Sequence, residues 1–189
     1  MKQRPEVITV FGGSGPREGD WHYGQAYALG VALAQKGLVV CNGGYGGTME
    51  AVSRGAKQAG GRTLGVTAQS FNRRANRWID QDVPMKTWRA RLFELIRRGR
   101  GYVACPGGTG TLVELAVVWE MLNKGAMRHK PLVVLGDFWK PVIDRVQDFE
   151  PGQSTRPGER GEELVHVVSS PADAAGYLAE YFLLQREPH

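Results

Sequence analysis

Tyr102–Glu114 reads YVACPGGTGTLVE: a short apolar run, a turn of proline, glycine and threonine, then a helical pattern carrying a glutamate. The run Tyr102–Cys105 is continuous and apolar, as expected of a strand buried on both faces of a parallel sheet. It ends in Pro106-Gly107-Gly108-Thr109-Gly110, and Thr111–Leu122 follows with helix spacing. Glycines let such a turn be tight and let a ligand come close to the backbone. The helix behind it points unpaired N–H groups and the positive end of its dipole at the same place. The unit as a whole predicts an anion site beyond the end of a strand.

The same unit occurs twice more. Val7–Phe11 (VITVF) ends in Gly12-Gly13-Ser14-Gly15-Pro16, ahead of a helix over Trp21–Lys36. Leu38–Cys41 ends in Asn42-Gly43-Gly44-Tyr45-Gly46-Gly47, ahead of a helix over Thr48–Ala59. Further strands are expected at Thr63–Thr67, Leu132–Leu135 and Leu164–Val168, and helices at Trp88–Arg98, Trp139–Phe149 and Ala172–Leu184. In Trp88–Arg98 the inward positions are Ala90, Phe93, Leu95 and Ile96; the last helix has Ser170 as its cap and Pro171 at its first position. Pro151–Glu163 is polar and reads as a surface loop. Apolar strands alternating with helices predict an α/β fold, a Rossmann-like doubly wound parallel sheet with helices on both faces. Residues 1–189 are expected to form one domain. In that order the first and fourth strands are neighbours at the switch point. The turns Gly12–Pro16 and Gly107–Thr111 then face each other, with Gly43–Gly47 beside them.

Composition narrows the function. The chain has 42% hydrophobic and 23% charged residues, an ordinary globular balance that excludes a disordered chain. No apolar run approaches the ~18 residues of a membrane span. Met1–Glu6 is charged and lacks a signal-peptide pattern. Two cysteines make no disulfide framework. A cytoplasmic protein is the expectation. Nine basic and three acidic residues between Arg73 and Arg100 give that segment +6 of the chain's net +5. The patch fits an anionic small molecule, a partner or a solvated face; nucleic acid fits less well, because the patch lacks the interleaved aromatics of single-strand binders.

The chain has no G-x-x-x-x-G-K-[ST], which argues against a P-loop, and no clear acidic residue ends the second strand, which argues against NAD. The candidate phosphate contacts are the backbones of Gly13, Ser14, Gly44, Gly107, Gly108, Thr109, Gly110 and Thr111. Thr111 and Glu114 are three apart and share a helix face. A carboxylate beside an anion site makes sense if it addresses another atom of a phosphorylated ligand, such as a ribose carbon that becomes cationic. His22, His129, His166 and His189 are scattered without metal-ligand spacing. No metal or cofactor is expected. Cys41 and Cys105 have no local base and read as inert. No lysine stands out as a pyridoxal-phosphate anchor. Trp21, Tyr23, Tyr45, Trp78, Trp88 and Trp119 are candidates to stack on a flat base, Trp119 fitting core or interface better.

The stretch PGGTGTLVE, Pro106–Glu114, resembles the PGGxGTxxE motif of the Lonely Guy family, often labelled "lysine decarboxylase". The resemblance runs from about Ile8 to Val146. Val10-Phe11-Gly12-Gly13-Ser14 looks like that family's first phosphate turn, and Asn42–Glu50 sits where it has GGGxxGLMG, with Glu50 in place of the last glycine. Counting back from Pro106 places the arginine of the family's M-x-x-R-K element at Arg91, with Arg89 the alternative if the register slips; Trp88 replaces the methionine and Leu92 the lysine. The resemblance implies a phosphoribohydrolase that cleaves a nucleoside 5′-monophosphate to free base and ribose 5-phosphate. Glu114 and Arg91 would be catalytic, and the protein a homodimer or higher homo-oligomer. Gly43–Ala56 looks closer to a sister branch that includes molybdenum-cofactor carrier proteins. That branch implies a carrier for a phosphorylated pterin with no chemistry.

Overall fold

The computed structural model describes residues 5–149 and 164–185; the expected surface loop Pro151–Glu163 lies outside them. Among the described residues seven parallel strands form one sheet: β1 (Val7–Phe11), β2 (Val39–Asn42), β3 (Thr63–Ala68), β4 (Gln81–Met85), β5 (Gly101–Ala104), β6 (Leu132–Leu135) and β7 (His166–Val168). Their order is β4-β3-β2-β1-β5-β6-β7. The chain winds outward from β1 to one edge, returns, and winds to the other. The switch point lies between β1 and β5, which pair in parallel from Ile8–Gly101 to Phe11–Ala104.

Among the described residues six α-helices cover the sheet: α1 (Trp21–Gln35), α2 (Thr48–Gln58), α3 (Trp88–Arg98), α4 (Thr109–Asn123), α5 (Lys140–Phe149) and α6 (Pro171–Leu184). Strand side chains alternate between the faces. Ile8, Val10, Val40 and Val103 pack with Leu29 and Leu33 of α1 and Leu178 of α6. Phe11, Tyr102, Ala104 and Val134 pack with Leu95 of α3, Leu115 of α4 and Ile143 of α5. The predicted fold class stands, with helices on both faces.

Three expectations change. The strand β4 was not anticipated. Its sequence QDVPM has no apolar run, and it occupies the sheet edge, where Pro84 withholds no required ladder donor. In α3 the buried positions are Arg91, Leu92, Leu95 and Ile96, while Phe93 is 49% exposed and Ala90 half-buried. Helix α4 begins at Thr109, so Thr109 and Gly110 belong to its first turn. The cap at Ser170 is as expected: its hydroxyl accepts from the Asp173 N–H at 3.1 Å. Helices α1 and α2 cross with backbone nearly touching backbone. A methyl at Gly30 would run into the Val52 carbonyl, and one at Gly55 into the Tyr27 carbonyl.

Candidate functional site

The three glycine turns meet at the switch point and hold one another. The Gly13 N–H donates to the Pro106 carbonyl at 3.1 Å, and the Thr48 N–H donates to the Gly13 carbonyl at 2.9 Å. A side chain at Gly12 would strike Thr48, and one at Gly107 would strike Thr111. Gly47, with φ at +71°, leaves no room against Gly13 and Ser14. Close packing between the turns is therefore a second reason for glycine there, besides access for a ligand.

A cavity of about 650 Å³ and one of about 330 Å³ flank this junction. The smaller one holds the candidate site. Gly13, Ser14, Gly108, Thr109, Gly110, Thr111 and Glu114 line it, together with Arg91. Gly108 caps α4 without a side-chain bond, so no side chain takes the first-turn N–H groups that the helix itself leaves unpaired, and the residues that carry them, Thr109–Thr111, line the cavity. Two expected phosphate contacts do not line it. The Gly44 N–H is taken by Asn42 Oδ1 at 2.8 Å, and Gly107 is pressed between Thr111 and Gly13. The Gly13 N–H is likewise committed to Pro106, so Gly13 lines the cavity without a spare donor.

Arg91 crosses the sheet end through the gap left by Gly43, where any side chain would collide with the guanidinium. It is 6% exposed. Its Nε donates to the Val66 carbonyl at 2.8 Å, which fixes the head group. Tyr45 and Phe71 present their rings 5.5 and 5.9 Å from the guanidinium carbon, a cation–π arrangement. Its Nη1 reaches 3.7 Å from Glu114 Oε1. Arg91, not the exposed Arg89, therefore meets Glu114. Burial pushes the Glu114 carboxyl up to about 7, against the opposing pull of Arg91.

Several contributors carry little local signal. Buried Asn42 braces the second turn, donating to Ser53 Oγ at 2.7 Å and accepting from Gly44. Asn76 Nδ2 donates to the Tyr45 carbonyl at 2.8 Å. Tyr45 is held by β3: its hydroxyl accepts from the Ala68 N–H at 2.8 Å. Phe71 and Arg73 close the cavity from a 3₁₀ turn (Gln69–Phe71) and the residues after it. Asn42 and Tyr45 stood in the quoted glycine motif, but only their contacts show what they do.

Of the proposed stacking aromatics, Tyr45 and Trp88 line this cavity and Trp21 the larger one. Tyr23 is core, Trp78 lies beneath Arg54 and Arg77, and Trp119 packs at the core's margin. Burial pushes the thiols of Cys41 and Cys105 up to about 12, which leaves them unreactive. No group of metal-ligating side chains occurs among the described residues. Nor does any helix there have the length and apolarity to cross a membrane.

Known proteins are similar to this chain in sequence or in fold. A phosphoribohydrolase of cytokinin riboside 5′-monophosphate from Rhodococcoides fascians is 28% identical over 168 residues, 85% of this chain and 84% of that protein. One from Mycobacterium marinum is 38% identical over 117 residues, 60% of this chain and 62% of its own. The molybdenum cofactor binding protein of Rippkaea orientalis superposes with a TM-score of 0.76 at 24% identity, over 96% of this chain and 99% of that one. That last likeness concerns the fold. The sequence model of the SLOG cluster4 family matches residues 5–156, and the chain belongs to that family.

Proposed function

We propose that the protein is a phosphoribohydrolase: water and a nucleoside 5′-monophosphate become a free base and ribose 5-phosphate. The observation that carries the reading is the Arg91–Glu114 pair, 3.7 Å apart in the cavity that the α4 N-terminus faces. The N–H groups of Thr109–Thr111 take the phosphate, and Arg91 adds positive charge. As the bond from C1′ to the base nitrogen breaks, its electrons leave with the base and C1′ becomes oxocarbenium-like. Glu114 as carboxylate stabilises that charge and takes a proton from the attacking water; the hydroxyl joins C1′ and the proton passes on to the departing base nitrogen, so one water is divided between the two products. A carboxyl titrating near neutral pH suits a general base. The relatives named for this activity agree with the reading.

The proposal extends to a cytoplasmic single domain that works as a homodimer or higher homo-oligomer. A second reading is a carrier that holds a phosphorylated pterin without chemistry. It is favoured by Glu50, which puts a carboxylate in the first turn of α2 where the phosphoribohydrolase motif has glycine. One experiment separates the two: incubation with a panel of nucleoside monophosphates and assay of ribose 5-phosphate. Release by the wild type, lost by at least ~10²-fold in Glu114→Gln, supports hydrolysis. Tight binding of a monophosphate without release transfers the case to the carrier.

A further inference from the structure

The larger cavity, about 650 Å³, shares no lining residue with the one that holds Glu114. Cys105 and Pro106 from the end of β5 line it, so the Gly13–Pro106 contact stands between the two. Its floor is apolar, made of Ala26, Cys105, Leu135 and Val168. Two aromatics stand at its walls while largely in solvent, Trp21 at 75% and Phe138 at 50% exposure. Leaving rings that size in water forgoes burial energy that a flat ligand would recover. Exposed Phe71 and Trp88 are placed in the same way around the Glu114 cavity. The size falls in the range of small-molecule sites, and the position, at the carboxyl ends of β5, β6 and β7, is where open α/β sheets bind ligands.

The polar groups decide the ligand. His22, Gln25, Asp137 and Ser169 are the polar side chains that line the cavity. An imidazole, an amide and a hydroxyl can each donate or accept, so those three fit either kind of base edge, and the acceptor-only group, Asp137, is the one that discriminates. It follows β6 and has no side-chain partner among the described residues. A carboxylate offers two acceptors and no donor. The edge it complements is a pair of adjacent N–H donors on a ring, the 2-amino-4-oxopyrimidine edge of guanine. Adenine places a donor beside an acceptor on its pairing edge and so meets a carboxylate with only one bond. We propose that this cavity is a second ligand site, for a guanine-type heterocycle that rests against Trp21 and Phe138 and directs its N–H edge to Asp137. The site needs no phosphate and no chemistry, and it stands independently of the hydrolase reading.

The test is calorimetric titration of the full chain with guanosine and with adenosine, in buffer containing enough inorganic phosphate to load the α4 N-terminus. The expected result is saturable binding of guanosine, one per chain, at least ~10-fold tighter than adenosine, as for a site that must pair a ring donor. Asp137 is exposed, so Asp137→Asn folds; it should abolish the preference. Arg91→Ala and Glu114→Gln should leave guanosine binding intact. Absence of saturable guanosine binding overturns the proposal, as does equal binding of adenosine. Loss of guanosine binding in Arg91→Ala overturns it too, by placing the nucleoside in the other cavity.

Discussion

Glu114 holds its proton in the folded protein up to about pH 7. The unfolded chain releases it at the ordinary carboxylate value, so between those two the folded state binds more protons. Stability therefore falls as pH rises through that window and levels off above about 7. Glu114→Gln carries no such proton, so its melting temperature should gain on the wild type between about pH 5 and pH 7.5. The stability gained is of order 1–3 kcal/mol, at 1.36 kcal/mol per pKa unit. Parallel pH curves for the two proteins would show that Glu114 titrates normally. If the proposed hydrolysis uses this carboxyl as its base, kcat/KM should rise through about pH 7 as the base ionises. Arg91→Lys keeps the charge but loses the Nε donor to Val66 and the planar head beside Tyr45. It should weaken monophosphate binding and turnover together, whereas Glu114→Gln should lower turnover and leave phosphate affinity nearly unchanged. Glu114 was legible from its place behind the glycine turn. Arg91 was legible only through resemblance, because what defines it is a tunnel past Gly43 formed by chain far away in sequence.

The elements were read well where apolar runs and glycine turns coincide, and less well where tertiary contacts set the structure. Strand β4 forms because β3 offers it an edge from Leu64 to Ala68, although its own residues alternate weakly and include Pro84. Phe71 and Arg73 enter the site from an irregular turn ending at Asn72, whose φ of +48° no local pattern announced. The glycines inside α1 show how context outweighs propensity. Gly24 faces open space, so Gly24→Ala should stabilise by about 0.5–1 kcal/mol, raising the melting temperature by ~1–4 °C. Gly30 lies against the Val52 carbonyl, so Gly30→Ala gains the same propensity yet must push α2 away. Its net effect should be a loss of about 1–2 kcal/mol, read as a lower melting temperature. A rise for both variants would mean that the helix crossing yields easily.

The whole molecule presents an apolar groove between α4 and α5, about 390 Å³, lined by Leu112, Ala116, Trp119, Val142 and Val146. With exposed Phe93 on α3, it offers the kind of surface that an interface core uses. Light scattering at micromolar concentration should give a dimer mass, and Val142→Glu should give a monomer that keeps its melting curve. A wild-type monomer would remove the homodimer from the proposal. The doubly wound order, finally, has a consequence in time. β1 pairs with β2 across some thirty residues but with β5 across more than ninety, Ile8 to Gly101. As the chain leaves the ribosome, the half-sheet β4-β3-β2-β1 can assemble with the open side of β1 unsatisfied, an adhesive edge awaiting its partner. Contacts so distant along the chain are slow to form. The Gly13–Pro106 contact and the junction of the turns belong to that late step, so the machinery at the switch point is completed only after β5 docks.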